Sequence, residues 1–323
     1  MNRWLIVFLL LAALAVSGSA MGEVPDDEEI IIPKIELSRE FGLPGSADRQ
    51  FYFPQDVKIP LSGNLETGLF SIFVADSGNN RVQRLDDDGG FMYQFGSFGL
   101  DKGRFNAPVS VAIDFNYRVY VSERENNRVQ LFDIRGNFIR EAATGEVGFR
   151  SLQYPAGIDV DQWGGLYVAD SGNDRVLKYD EQGRSAGQIG GFGVGLGFFS
   201  KPMDVAVDKE RYLYVADCNN HRIQKFDFDG RPLLSFGQMG RGPGDLFNPQ
   251  GVAVDDKIVY VSDSGNNRIA LFSKSGKFLA VFGEKGFGRG EFNNPVGLAV
   301  GRKGSLYVAD SGNHRIVELN VTY

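Results

Sequence analysis

Three aspartates stand where their carboxylates could hold a divalent cation. Six prolines each open a short segment of alternating hydrophobic residues, and the second and fourth residues after these prolines are mostly Gly, Ser or Ala. Asp56, Asp159 and Asp204 break that pattern, as does Lys58. Carboxylate oxygens are ligands that Ca²⁺ and Mg²⁺ prefer. If the six segments converge, these residues predict a Ca²⁺ or Mg²⁺ site. The other interpretation is that the groups pair with one another or with water.

The two histidines of the chain do not suggest a metal or catalytic pair. His221 and His314 each directly precede the arginine of a repeated motif, in two different copies. Because they occupy the same repeat position, we interpret them as turn residues. A histidine-based zinc site and a Ser-His-Asp triad are therefore both disfavoured, and no strand–turn–helix segment presents a nucleophile.

Six near-identical segments recur along the chain. The first, "VADSGNNRVQRLD", begins at Val74, and every copy keeps an acidic residue, an Asn and an Arg at fixed offsets. The acidic residue recurs every 46 or 47 residues, at Asp76, Glu123, Asp170, Asp217, Asp263 and Asp310. A period in this range is typical of repeat architectures. A catalytic site needs its residues once, so we interpret the motif as structural. We expect its Asp and Arg to form a partly exposed pair that fixes a turn.

Within each unit the hydrophobic residues alternate with a period of two, and no helix of ordinary length is expected. Four short strands in about 47 residues predict one blade of a β-propeller. Six units therefore predict an all-β, six-bladed β-propeller with four-stranded antiparallel blades. The sixth unit ends after its third strand, but residues 34–45 resemble a fourth strand, with Phe41 and Gly42 matching Phe282 and Gly283. We predict that this N-terminal strand completes the last blade and closes the ring.

The start of the chain differs in composition from the rest. Arg3 precedes an apolar run over residues 4–16, a pattern typical of a secretory signal. The run is shorter than the roughly 20 apolar residues of a membrane span, and an uncleaved anchor is the alternative. We assign residues 1–20 to a signal peptide or uncleaved anchor, 21–33 to an acidic linker and 34–323 to the propeller. The protein is then secreted, periplasmic or anchored outside the cytoplasm.

Each unit resembles an NHL repeat, with the pattern Pro-x-Gly-Val-Ala-Val-Asp followed by Leu-Tyr-Val-Ala-Asp-Ser-x-Asn-x-Arg-Ile-Gln. The resemblance covers residues 34–323. It departs at Glu123, which replaces Asp, and at Asp56, Ser110 and Asp204, which replace Gly. It implies a propeller that binds proteins, peptides or nucleic acid through one face. Some lactonase-like six-bladed propellers carry a channel metal, whereas the amidating lyases of this fold rely on inner-strand histidines that this chain lacks.

Two functions remain open. The first is a secreted or membrane-tethered, non-enzymatic module that binds a protein or peptide or serves as a scaffold, monomeric and without a cofactor. The alternative is a lyase- or lactonase-type enzyme with a divalent metal held by the channel aspartates. Nucleic acid is disfavoured as a partner, because the formal net charge is −7 and the sequence predicts export. The N-terminal segment could supply a membrane tether.

One sector of the predicted ring departs from the others. The links between units mostly begin with Phe-Gly and carry a Phe or Leu before the Pro, which we expect to fill the joint between blades. The link over 141–155 lacks the Phe-Gly, and the turn over 123–127 reads "ERENN" in place of "DSGNN". One interpretation is neutral sequence change in a loop that has no function. The other is a binding function, because an exposed Arg beside an aromatic residue is typical of interaction hot spots. We predict that a protein or peptide ligand contacts Arg124, Glu125, Phe149 and Arg150.

Overall fold

The computed structural model describes residues 32–60, 71–143 and 151–323. This part of the chain forms six four-stranded sheets in which all neighbouring strands are antiparallel. Its helical segments are single 3₁₀ turns, at Ser77–Asn79, Ser171–Asn173, Cys218–Asn220, Ser264–Asn266 and Ser311–Asn313. The prediction of an all-β propeller with six blades is confirmed.

The strands follow the chain from blade to blade. The N-terminal strand is β1 (Lys34–Phe41), and a short parallel pair follows it, β2 (Leu43–Pro44) and β3 (Gln50–Phe51). Blade 1 contains β4 (Pro54–Lys58), β5 (Ser71–Asp76), β6 (Arg81–Asp86) and β7 (Phe91–Phe95). Blade 2 contains β8 (Pro108–Ile113), β9 (Val119–Glu123), β10 (Arg128–Phe132) and β11 (Phe138–Glu141). Blade 3 contains β12 (Pro155–Val160), β13 (Leu166–Asp170), β14 (Arg175–Tyr179) and β15 (Ser185–Gly190).

The remaining three blades repeat this order. Blade 4 contains β16 (Pro202–Val207), β17 (Leu213–Asp217), β18 (Arg222–Phe226) and β19 (Pro232–Phe236). Blade 5 contains β20 (Gly251–Val254), β21 (Ile258–Asp263), β22 (Arg268–Ser273) and β23 (Phe278–Phe282). Blade 6 contains β24 (Pro295–Val300), β25 (Ser305–Asp310) and β26 (Arg315–Thr322), and its fourth strand is β1.

The first and last strands close the ring, as the sequence predicts. β1 pairs antiparallel with β26, with Ile35 opposite Val321 and Phe41 opposite Ile316. The inner strand β24 of blade 6 packs against the inner strand β4 of blade 1. Each inner strand likewise contacts the inner strand of the next blade, so the six of them surround a central channel. Closure covers the edge of β26, which would otherwise be open.

The core lies between blades rather than within one sheet. The second strand of each blade is buried along nearly its whole length, as in β5, where all six residues are buried. One such layer joins Phe73 and Val82 of blade 1 to Val111 and Phe132 of blade 2. The expected apolar residue before each Pro fills the joint, because it is buried in every link: Phe51, Phe105, Leu152, Phe199, Leu246 and Phe292.

The ring has two unlike faces. We call the face with the second-to-third-strand turns and the inter-blade links the link face, and the other the opposite face. The predicted signal peptide and most of the acidic linker fall outside the described residues. Within the described ranges, no helix combines the length and the hydropathy that a membrane crossing would require.

Candidate functional site

The acidic residue of each repeat is the centre of a buried hydrogen-bond cluster. In blade 5, one oxygen of Asp263 accepts bonds from Arg268 Nε at 2.7 Å and Asn266 Nδ2 at 2.8 Å. The other oxygen accepts the backbone N–H of Phe247 in the preceding link at 2.7 Å. The same three kinds of bond recur at Asp76, Glu123, Asp170, Asp217 and Asp310. The motif therefore joins its turn to the preceding link.

The expectation of a partly exposed Asp–Arg pair was wrong. The Asp263 side chain is fully buried, and that of Arg268 is 14% exposed. Burial raises the pKa of Asp263 above its ordinary value, although its amide bonds and Arg268 act in the opposite direction. Because the blades pack on both sides of the turn, the pair is screened from water, which single-unit reasoning could not show.

The arginine also organises the link that precedes its blade. Arg268 donates to the carbonyl oxygens of Arg241 at 3.0 Å, Gly242 at 3.1 Å and Asp245 at 2.9 Å. Asn266 donates to the carbonyl of Gly240 at 2.8 Å. These four bonds satisfy carbonyl groups at the tip of the link and attach the tip to the blade that follows it.

A second clamp ties each turn to the link that follows. The residue before each motif arginine is left-handed, with φ between 51° and 55°, and its side chain accepts the N–H of the residue before the next Pro. Asn80 Oδ1 accepts from Ala107 at 3.0 Å, and His314 Nδ1 accepts from Phe53 at 3.0 Å. Asn127, Asp174, His221 and Asn267 make the equivalent bond. The interpretation of both histidines as turn residues agrees with this geometry.

Substitutions at Asn80 should separate the two requirements of this position, a left-handed backbone and a side-chain hydrogen-bond acceptor. Asn80→Asp keeps both the acceptor and the tolerance for a left-handed backbone, so we expect an unchanged melting temperature. Asn80→Gly keeps only the backbone freedom and should lower the free energy of unfolding by about 1 kcal/mol through the lost hydrogen bond. Chemical denaturation measures both, and equal stability of the two variants would contradict the clamp.

The three aspartates predicted as metal ligands lie on the inner strands and bond across blade boundaries. Asp56 accepts bonds from Ser110 Oγ at 2.7 Å and the Val111 N–H at 2.9 Å. Asp204 accepts the Val252 N–H at 2.9 Å. Asp159 accepts the Val207 N–H at 2.9 Å, and Lys58 Nζ at 2.7 Å. Each carboxylate thereby ties its inner strand to another blade.

Burial shifts the pKa of two of these aspartates. It raises the pKa of Asp56 to about 6, and it raises the pKa of Asp204 well above the ordinary value. Burial alone would lower the pKa of Lys58, but the charges of Asp159 and Asp56 raise it instead. The lysine therefore carries the cation that balances the channel carboxylates.

These contacts leave limited capacity for a metal. Among the residues that the structure describes, no group of three or more His, Cys, Asp or Glu is arranged to hold an ion. A divalent cation between Asp56, Asp159 and Asp204 would compete with Lys58 and with the backbone amides for their oxygens. Metal binding at these three residues stays a prediction.

On the link face the channel ends in a shallow depression. Its lining includes Gln55, Arg124, Tyr154 and Met203, and it encloses about 30 Å³. The floor is tightly packed, since a Cβ added to Gly157 would lie 1.9 Å from Asp204 Oδ1. A ligand on this face therefore rests at the surface and cannot enter the channel without rearrangement.

The opposite end is wider. A funnel of about 590 Å³ opens there, walled by the aliphatic ends of inner strands and rimmed by charged residues such as Lys209 and Asp256. These two side chains pair at 2.8 Å. Lys58 and Asp159 occupy the level of the inner strands between the funnel and the depression.

Two of the four residues predicted to contact a ligand are described. Arg124 is half-buried at the rim of the depression, and Glu125 is exposed beside it. Neither side chain makes a hydrogen bond or an ion pair within the described ranges. Phe149 and Arg150 lie outside the described residues. Tyr154, which sequence analysis did not single out, is 45% exposed at the same rim.

Sequence analysis also missed the exposed tips of the links. The five links whose tips are described each project one or two large apolar side chains that are 67–80% exposed: Leu43, Phe98, Leu100, Phe192, Val194, Met239 and Phe287. The signal in the sequence was the alternation of Gly with hydrophobic residues, as in "GGFGVGLGFF" (190–199).

Comparisons with solved structures show the fold. The virginiamycin B lyase from Staphylococcus aureus aligns with a TM-score of 0.58 at 15% identity, covering 89% of this chain and 99% of that chain. The PQQ-bound aldose sugar dehydrogenase from Streptomyces coelicolor aligns with a TM-score of 0.59 at 15% identity, covering 90% and 98%. A chain of the nidogen/laminin complex aligns with a TM-score of 0.51 at 16% identity, covering 75% and 79%.

Sequence comparison identifies the repeat itself. The NHL repeat model matches residues 152–179, 199–226, 248–272 and 292–319. A search of curated proteins gave no match. These four segments fall in blades 3 to 6, and blades 1 and 2 repeat the same strand order and the same clamped turns. The chain is therefore an NHL-repeat protein with a six-bladed β-propeller fold.

Proposed function

We propose that this propeller is a non-enzymatic binding module that holds a protein or peptide ligand on its link face. The observation that carries the proposal is the guanidinium of Arg124 at the rim of the central depression, which has no hydrogen-bond or ion-pair partner among the described residues. An arginine free of a described counter-ion, next to an exposed tyrosine, has the composition of an interaction hot spot.

The position of Arg124 differs in kind from its five equivalents. The other repeats place a small residue there, four serines and Cys218, and all but one of these are buried. Ser264, for example, donates its hydroxyl to the carbonyl of Pro295 at 2.5 Å. Blade 2 thus replaces a small side chain that bonds within the fold with a long cation that does not. Because guanidinium groups bind carboxylates through two parallel hydrogen bonds, an acidic peptide suits this rim.

On the link face, the closed end of the channel supports surface recognition over enclosed chemistry. The depression is too small to enclose a substrate, and the carboxylates beneath it already accept hydrogen bonds. Two of the similar structures are named as enzymes, but a shared propeller fold does not carry an activity with it. The alternative of a metal-dependent lyase or lactonase is tested by metal analysis of the purified protein. Stoichiometric Ca²⁺ or Mg²⁺ that is lost in the Asp204→Ala variant would favour it.

The location of the module is part of the proposal. The basic and apolar start of the chain supports export, either with cleavage or with retention as a membrane tether. The net charge of −7 supports a protein or peptide partner over nucleic acid. The outer edge strands of the blades are short, mostly four to six residues, which limits edge-to-edge self-association and supports a monomer.

The test uses peptides selected from a displayed random library against the full chain. We expect the selected peptides to be rich in Asp and Glu. Arg124→Ser, which installs the residue of other repeats, should weaken their binding about tenfold, or about 1.4 kcal/mol, through the lost ion pair. Arg289→Ser removes an equally unpaired but exposed link cation and should leave the affinity unchanged. Equal affinities for wild type and Arg124→Ser would refute the proposed site.

A further inference from the structure

The link between blades 3 and 4 differs from every other described link in its surface chemistry. Over residues 190–199, which we call the glycine–hydrophobe loop, Gly alternates with large apolar residues. Phe192 is 77% exposed, Val194 78%, Leu196 46% and Phe198 51%. Exposed apolar groups of this density mark an interaction surface, because single scattered hydrophobes are the norm elsewhere.

The loop contains no charge. Residues 185–200 carry no Asp, Glu, Lys or Arg, whereas the links 41–54, 95–108, 236–249 and 282–295 each carry at least two. The first cation after the loop is Lys201, two residues beyond its end, and the next link carries Arg241 close in sequence to Met239, which is 68% exposed. An apolar tip with basic margins is the arrangement of a segment that enters the interface of an anionic bilayer.

Part of the loop's backbone is satisfied from within the protein. Asn220 donates to the carbonyl of Gly193 at 2.9 Å, and Arg222 donates to those of Gly195 at 2.8 Å and Phe198 at 3.0 Å. The N–H of Gly193 bonds to the carbonyl of Phe199 at 2.8 Å. Irregular backbone is costly in a lipid environment unless its polar groups have internal partners. The repeat motif and the loop itself supply partners at Gly193, Gly195 and Phe198. Within the described residues, the amides and carbonyls of Phe192, Val194 and Leu196 have no such partner, so an inserted tip stays in the hydrated interface and does not reach the hydrocarbon.

We propose that the glycine–hydrophobe loop inserts into the interfacial region of a lipid bilayer, with Lys201 and Arg241 at the level of the lipid phosphates. A bilayer fits this loop better than a protein partner does, because the glycines separate the apolar side chains and build no pocket or groove. The inference is independent of the peptide site at Arg124. Phe98 and Leu100 project equally far from another link, but that link carries Asp101, whose side chain is 82% exposed, and it stays outside the bilayer.

An environment-sensitive fluorophore at position 196 tests the insertion. The only cysteine, Cys218, is buried and holds a position that is Ser in four other repeats, so Cys218→Ser with Leu196→Cys gives one labelled site in the full chain. Vesicles of phosphatidylcholine and phosphatidylglycerol in equal parts should shift the emission to shorter wavelength. Brominated acyl chains should then quench it.

Matched serine variants control for the N-terminal apolar segment, which all of them retain. Phe192→Ser with Val194→Ser should raise the lipid concentration at half-maximal shift about tenfold or more, since two apolar side chains leave the interface. Phe98→Ser with Leu100→Ser should leave that concentration unchanged, and melting temperatures should agree among all variants. Equal effects of the two pairs, or no shift with vesicles, would overturn the proposal. A shift that depends on protein concentration without lipid would assign the loop to self-association and overturn it too.

Discussion

Deletion of residues 21–42 should abolish the cooperative thermal unfolding of the propeller. This deletion removes β1, the fourth strand of blade 6, which pairs with β26 from Lys34 opposite Thr322 to Phe41 opposite Ile316. It also removes the apolar contacts that Ile35 and Leu37 make with the core of that blade. The chain would then expose the edge of β26 and lose the contact that joins its two ends.

The control is deletion of residues 21–30, which precede the described part of the chain. This shorter deletion should leave the melting temperature nearly unchanged, because β1 and all of its partners remain. Circular dichroism during heating measures both variants. Equal melting temperatures for the two deletions would show that the N-terminal strand does not close the ring.

Arg268→Met should lower the free energy of unfolding by about 3–5 kcal/mol, the cost of leaving a buried charge without its partner. The substitution retains much of the apolar stem but leaves Asp263, which is fully buried, without its cation. It also releases the three link carbonyls that Arg268 holds. Denaturant-induced unfolding, followed by fluorescence and circular dichroism together, measures the change.

Two further variants separate the buried pair from a general effect of charge. Arg289→Met removes an exposed cation and should change stability by less than about 0.5 kcal/mol. Adding Asp263→Asn to Arg268→Met should recover part of the loss, since the buried charge is then gone. If Arg268→Met were as stable as Arg289→Met, the hydrogen-bond cluster around Asp263 would not stabilise the fold, and the clamp would be refuted.

The fold was predictable because its signal repeats. Six copies at a spacing of 46 or 47 residues, each with hydrophobic residues at every second position, predict a propeller. The match of Phe41-Gly42 to Phe282-Gly283 located the missing fourth strand of the last blade. These signals are local in sequence, so they can be recognised without knowing which blades pack against each other. Even the burial of the Phe or Leu before each Pro followed from its position in the link.

The clamps could not be predicted because they depend on contacts between blades. The sequence placed Asp263 and Arg268 in one turn, but their burial results from packing against adjacent blades. The bond from the Phe53 N–H to His314 joins residues 261 positions apart, and no local pattern predicts it. The exposure of Phe192 was missed for a related reason. From sequence alone, a hydrophobic residue in a link is assigned to the core, because the direction of its side chain is set by the fold.

The residues of the proposed peptide site could be singled out in part from the sequence. Breaks in the repeat pointed to Arg124 and Glu125, and the structure places Arg124 at the rim of the depression. Tyr154 belongs to the same rim, but it comes from the next blade and only the closed ring brings it there. Departure from a repeat therefore identifies candidate residues, but on one blade at a time, and binding at this rim stays a prediction.

The most direct measurement is photo-crosslinking of the selected acidic peptide from defined positions on the ring. A photoreactive amino acid replaces Glu125 at the rim, Lys285 on a distant link, or Lys257 on the opposite face. Ligand held by Arg124 predicts adducts from position 125, suppressed by Arg124→Ser, and none from positions 285 or 257. Adducts from position 285 or 257, with none from position 125, would place the ligand elsewhere and contradict a binding site at the rim of the depression.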